Sequence, residues 1–177
     1  MKLVILDRDG VINYDSPSYI KSPEEWKPIP GSLEAIARLT QGGHHVVVAT
    51  NQSGIARGLF DMAALNAIHD RMHRALGQLG GRIDAVFFCP HAGEAKCRCR
   101  KPEAGLLEDI SHRFNVNLKD VPSIGDAQRD LEAAAAVGAQ PILVLTGKGE
   151  KTRQAGALPA GTLVFADLAE AVKSIIT

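Results

Sequence analysis

All three cysteines of this 177-residue chain fall in one stretch, CPHAGEAKCRCRKP, residues 89–102. Cys89, His91, Cys97 and Cys99 have the spacing C-x-H-x5-C-x-C. That is a closed set of three thiolates and one imidazole, the donor set of a structural zinc site. Four protein ligands leave no open position, so such a metal shapes the loop and the chemistry belongs to the neighbouring cations. Arg100 can grip a phosphate through two parallel hydrogen bonds, and Lys101 offers a compact positive charge. The zinc-bound loop is expected to aim both cations at one site.

Two carboxylates stand near the N-terminus. Asp7 and Asp9 of DRDG are two residues apart, and in extended backbone such residues point to the same side. Carboxylates this close repel unless a cation lies between them or one keeps its proton. Magnesium is the economical partner, being hard and preferring oxygen ligands. Asp126 and Asp130 of GDAQRD are placed to complete its site. The alternative is a turn whose aspartates cap backbone amides; a second acidic cluster after another strand weighs against it. In ATNQSG, the residues Thr50, Asn51, Gln52 and Ser53 can present hydroxyl, amide and backbone donors to a phosphate, or simply form a turn.

These groups need a scaffold that brings them together. Short apolar runs at 3–6 and 45–50 read as buried strands, and those at 83–89, 121–126, 141–146 and 162–166 as further strands. Segments 31–43, 61–81, 103–114, 129–138 and 167–176 read as helices, with Ser32 as N-cap of the first and glycines ending it. Alternation of this kind predicts an α/β domain with a mainly parallel sheet, one domain over 1–177. In such sheets ligands bind beyond the carboxyl ends of the strands. DRDG, TNQS, the cysteine loop and GD all come after strands, so they converge on one edge.

Bulk properties exclude several roles. Net charge is zero and aromatics are 5%, which argues against nucleic acid and anionic membranes. The N-terminal apolar run LVIL is too short for a signal peptide, and no stretch is long enough to span a bilayer. Three cysteines cannot all pair, which fits a reducing, cytoplasmic setting. No long exposed apolar stripe is evident, so a monomer is expected.

In order, DRDG, ATN, Lys101 and GDAQRD resemble the four motifs of the haloacid dehalogenase phosphohydrolase superfamily. The fuller pattern, with TNQSGIARG and the cysteine loop, is similar to its heptose-bisphosphate phosphatase group and spans the chain to about residue 148. Histidinol-phosphate phosphatases share much of it but tend to read TNQDGLGT where this chain has TNQSGIARG. The resemblance implies a Rossmann-like three-layer sandwich without a large cap domain. It implies magnesium-dependent hydrolysis of a phosphomonoester through an aspartyl-phosphate. Asp7 would be nucleophile and Asp9 general acid and base, a ranking the spacing alone does not make. Thr50 and Lys101 would stabilise the phosphoryl group, and Asp7, the Asp9 carbonyl and Asp126 would hold magnesium. Arg100 would recognise the substrate, a small phosphorylated sugar whose product feeds nucleotide-heptose and lipopolysaccharide synthesis. The loop 13–30, with Asp15 and Tyr19, would help choose that substrate, and Arg100 and, more weakly, Arg57 are the candidate cations for a second phosphate. The sequence departs from the family in carrying Ala127 where lysine is common, with Arg129 nearby as a replacement cation.

Overall fold

The computed structural model describes residues 1–177. Strands β1 (Leu3–Leu6), β2 (His45–Asn51), β3 (Ala85–Cys89), β4 (Pro122–Gly125), β5 (Gln140–Val144) and β6 (Leu163–Phe165) form one sheet. Every pair is parallel, in the order β3-β2-β1-β4-β5-β6. The connecting helices are α1 (Ser32–Gln41), α2 (Met62–Gln78), α3 (Gly105–Phe114), α4 (Gln128–Ala136), α5 (Gly149–Ala155) and α6 (Leu168–Ile176). This is the Rossmann order, and its switch point lies between β1 and β4.

Helical crossovers cover both faces of the sheet at its centre, so the inner strands are apolar on both sides, while the edge strands β3 and β6 are half-buried or exposed. Val4, Leu6, Val46 and Val48 share one core with Ile36, Leu39, Ile68, Met72, Leu168 and Val172, from α1, α2 and α6. The alternate residues Leu3, Ile5, Val47 and Ala49 share a second core with Leu106, Leu107, Ile110, Ala133 and Ala134, from α3 and α4. Side chains alternate along a strand, so a one-residue slip would exchange the two layers. That fixes the register, and with it the height at which each strand ends.

Several local expectations change. Ser32 does not cap α1: Gly31, at φ 87°, precedes the helix, and the Ser32 hydroxyl donates to the Val11 carbonyl at 2.8 Å. That bond ties α1 to the loop after β1. Helix α3 starts at Gly105 rather than 103, because the Gly105 N–H donates to the Arg98 carbonyl at 2.9 Å. A Cβ there would meet that carbonyl oxygen at 2.3 Å, so the cysteine loop lies directly on the glycine. Helix α5 lies outside the elements expected from the sequence, since GEKTRQA has no apolar stripe and buries only Gly149.

No cap domain interrupts the sheet. The long connection after β1 instead folds back on the core, burying Ile12, Ile20, Trp26 and Ile29. Tyr14 N–H donates to the Lys27 carbonyl and Ile29 N–H to the Ile12 carbonyl, both at 2.9 Å. The intervening residues, Asp15 to Tyr19, therefore form an anchored flap beside the strand ends.

Candidate active site

Beyond the carboxyl ends of β1, β2 and β4 lies a cavity of about 210 Å³, with one hydrophobic residue among the thirteen that line it. Asp7 and Asp9 come from the end of β1, Thr50, Asn51, Gln52 and Ser53 from β2. The flap contributes Asp15, Ser16, Pro17 and Tyr19, and three cations, Arg100, Arg129 and Lys148, complete the wall. Arg57 is exposed and not among these residues, so it is no part of the cavity. Lys148 has no sequence signal beyond a lone lysine after a strand; only the fold brings it here.

Behind Asp7 sit Lys101, Asp126 and Asp130, all buried. The Lys101 ammonium donates to the Ala49 carbonyl at 2.7 Å and to Asp7 Oδ1 at 3.1 Å. It meets Asp130 Oδ1 at 2.7 Å as an ion pair. Two hydrogen bonds and one close ion pair thus hold the ammonium in place. Burial disfavours the charge, but Asp130 and Asp7 outweigh it and hold the Lys101 pKa above its ordinary value. Asn51 fixes the same residue from its main chain: its Oδ1 accepts from Lys101 N at 3.0 Å and its Nδ2 donates to Lys101 O at 3.1 Å. The Asn51 amide is thus committed to Lys101 although the residue lines the cavity.

Asp130 is correspondingly engaged by other partners. Its Oδ1 faces Lys101, and its Oδ2 accepts from the N–H groups of Asp126, at 3.2 Å, and Ala127, at 3.0 Å. It anchors the lysine and caps the start of α4, a role the sequence reading of it as a magnesium ligand did not include, while its carboxylate still stands in one group with Asp7 and Asp126. Asp126 Oδ2 accepts from Lys148 N at 2.8 Å, whereas its Oδ1 is buried with no partner. Burial, with Asp7 and Asp130 close by, pushes the Asp126 carboxyl up to about 8. Burial and Asp130 likewise push Asp7 up to about 6. An orphaned carboxylate oxygen facing a second crowded carboxylate is a donor set that fits a hard divalent cation such as magnesium.

Close approach there depends on glycine. Gly10 has φ 86°, and a Cβ on it would lie 2.0 Å from Asp126 Oδ2, so no side chain fits between the β1 loop and that carboxylate.

Asp9 is oriented differently from Asp7. Its Oδ1 accepts from Arg8 Nε and Asn13 Nδ2, both at 2.9 Å, and Gln52 Nε2 approaches its Oδ2 at 3.4 Å. Burial alone would raise its pKa, but Arg8 and Asn13 outweigh that and hold it below the usual carboxylate range. Arg8 is itself fully buried, and its Nη1 lies 3.1 Å from His69 Nε2. Burial and the Arg8 charge depress the His69 pKa to about 3, so the ring is neutral and accepts from the guanidinium. Thr50 Oγ1 accepts from Gln52 Nε2 at 3.1 Å, which turns the β2 loop inward.

The four residues of the cysteine loop do meet. Cys89 Sγ lies 2.9 Å from Cys99 Sγ and 3.5 Å from both Cys97 Sγ and His91 Nδ1. These separations far exceed a disulfide bond of about 2.05 Å. They approach the ligand–ligand edge of about 3.8 Å that sulfurs at about 2.3 Å from a tetrahedral metal would have. The four donor atoms all lie within 4.8 Å of one another, as one metal would require. The loop holds the two cations unequally. Arg100 Nη1 donates only to the His91 carbonyl, at 3.4 Å, while Lys101 is secured by Asn51, Ala49, Asp7 and Asp130.

A switch-point pair of aspartates backed by a buried lysine defines a haloacid dehalogenase-type phosphatase, and the HAD-hydrolase-like family model matches residues 98–171. The D-glycero-beta-D-manno-heptose-1,7-bisphosphate 7-phosphatase of Bordetella bronchiseptica is 58% identical, over 99% of this chain and 98% of its own. The Pseudomonas putida enzyme of that name is 53% identical, over 99% and 100%. A crystal structure of D,D-heptose 1,7-bisphosphate phosphatase from B. bronchiseptica, complexed with magnesium and phosphate, superposes with a TM-score of 0.98 at 58% identity, covering 99% and 98% of the two chains. The chain belongs to the heptose 1,7-bisphosphate 7-phosphatase family of haloacid dehalogenase hydrolases. No helix is long and apolar enough to cross a membrane.

Proposed function

We propose that this phosphatase removes the C7 phosphate of D-glycero-D-manno-heptose 1,7-bisphosphate. The observation that carries the reading is full-length identity of 58% and 53% to enzymes named for that reaction. A polar cavity with three cations on its wall is suited to a bisphosphorylated sugar.

Asp7 attacks phosphorus and forms an aspartyl-phosphate, dividing a difficult hydrolysis into two easier steps. Asp9 protonates the leaving sugar oxygen and then takes a proton from the water that cleaves the intermediate. The bonds from Arg8, Asn13 and Gln52 favour ionised Asp9, so the first step draws on the minor protonated form and the second uses the prevailing ionised one. Lys101 and Thr50 face the charge that spreads over the phosphoryl oxygens during transfer. Asp7, the carbonyl of Asp9 and Asp126 are the residues that would hold magnesium, which when bound neutralises phosphoryl charge. Asp15, Tyr19, Gln52, Ser53 and Arg100 contact the substrate, and Asn51 contributes by fixing Lys101. The enzyme works as a cytoplasmic monomer, where three unpaired cysteines stay reduced, and supplies heptose for nucleotide-sugar and lipopolysaccharide assembly.

The test is phosphate release with magnesium from both anomers of heptose 1,7-bisphosphate and from histidinol phosphate, at equal concentrations. Strong preference for the heptose is expected, with the beta anomer better, since the relatives are named for it. Preference for histidinol phosphate would overturn the substrate and leave the mechanism.

The cysteine loop binds one structural zinc through Cys89, His91, Cys97 and Cys99. Native mass spectrometry should find one zinc per chain; finding none would overturn this assignment. Stripping zinc and restoring magnesium should raise KM several-fold while lowering kcat less. Arg100 depends on the His91 carbonyl, whereas Lys101 keeps its four partners outside the loop.

A further inference from the structure

Besides Arg100, the cavity wall carries two cations, Arg129 and Lys148, that the proposed chemistry does not use. Lys148 lies in the loop after β5, and its Nζ is 3.5 Å from Asp15 Oδ2 on the flap. The pair is loose and partly exposed, with side chains 49% and 25% accessible, so solvent screens it and little holds it closed. The backbone beneath Lys148 is fixed by contrast. Its N–H donates to Asp126 Oδ2 at 2.8 Å, Thr146 Oγ1 to the Gly10 carbonyl at 2.7 Å, and Thr152 Oγ1 to the Asp126 carbonyl at 2.8 Å. A partly exposed ammonium thus stands on a base tied to the reacting centre. Arg129 lines the same cavity from the first turn of α4, where the helix dipole disfavours a cation. Its Nε is buried and has no partner. The Arg129 charge sits near Asp130, Asp7, Asp126 and Asp15, yet its Nε makes no hydrogen bond, and the only acceptor of Lys148, on the same cavity wall, is a screened carboxylate, so both cations have donors to offer an anion in the cavity.

We propose that Lys148 and Arg129 form the subsite for the phosphate that is not hydrolysed, and that Lys148 leaves Asp15 to bind it. The proposal rests on the bisphosphate reading of the substrate. A phosphate dianion has more charge and more acceptor oxygens than Asp15, so it wins the lysine. The exchange makes the flap contact conditional on substrate and favours sugars that carry two phosphates.

The experiment compares kcat/KM for heptose 1,7-bisphosphate with that for the 7-monophosphate of the same sugar, in wild type, Lys148→Ala, Lys148→Arg and Arg129→Gln. The ratio of bisphosphate to monophosphate should fall about ten- to fiftyfold in Lys148→Ala, mainly through KM. It should recover largely in Lys148→Arg and fall in Arg129→Gln. A ratio unchanged in Lys148→Ala, with bisphosphate still hydrolysed by the wild type, would overturn the subsite alone. A wild type that releases no phosphate from the bisphosphate would overturn the substrate reading and the subsite with it.

Discussion

Asp7→Asn is expected to abolish turnover, lowering kcat by about four orders of magnitude or more, while the protein stays folded. The activity loss stems from the amide's failure as a nucleophile toward phosphorus. Retention of the fold stems from the local geometry. Asp7 Oδ1 accepts from Arg8 N at 2.9 Å and from Lys101 Nζ at 3.1 Å, and an asparagine carbonyl can accept both. Lys101 also keeps Asp130 and the Ala49 carbonyl. Burial and Asp130 already oppose charge on Asp7, so a neutral side chain relieves crowding among Asp7, Asp126 and Asp130. Single-turnover phosphate release and thermal denaturation check both halves. Substantial residual turnover would remove the aspartyl-phosphate from the mechanism; a protein that failed to fold would show that the carboxylate charge itself is needed by Lys101.

Asp130→Ala should have the largest effect on stability, costing about 3–5 kcal/mol, because it breaks a fully buried ion pair. Two losses combine. The Lys101 ammonium is left with one carboxylate at a buried position, and the N–H groups of Asp126 and Ala127 lose their acceptor. Asp130→Asn, which can still accept one of those N–H bonds, should lose less. Urea denaturation measures the difference, and a loss under about 1 kcal/mol would contradict the anchoring role. Magnesium titration separates anchoring from ligation. The half-activating concentration should rise far more in Asp126→Ala than in Asp130→Asn, since no cation faces the free Asp126 oxygen while the Lys101 ammonium lies 2.7 Å from Asp130 Oδ1.

Asp130 marks where local pattern stops being informative. Four residues after Asp126, it looks like another member of an acidic cluster, and residue type alone makes it a metal ligand. Its role depends on Lys101, which lies on a different crossover and reaches it only once β4 pairs with β1. The two cations of RKP separate for a similar reason. As neighbours in sequence they seem to share one support, yet Lys101 is secured by β2 through Asn51 and Ala49, and Arg100 rests on the cysteine loop.

Short-range patterns are enough for most of the architecture. The runs LVIL and HVVVAT announce buried strands because both faces of a parallel sheet are covered, AVFFC announces the half-buried edge strand, and α1 and α2 show their apolar stripes directly. Helix α5 stays hidden because it buries almost nothing and so leaves no periodic signal. The C-x-H-x5-C-x-C set is legible because its four donors lie within eleven residues, and the structure needs only one loop to gather them. The flap is not legible as structure: Trp26, Ile20 and Ile29 are too irregularly spaced to mark an element, though all are buried. Lys148 lies furthest from view. It joins the cavity because β5 sits beside β4 in the sheet and Gly10 leaves room for Asp126 to tie the two loops together. Residue chemistry and local period belong to the chain itself; which strand ends meet, and which charge faces which, is settled by long-range pairing that no local pattern encodes.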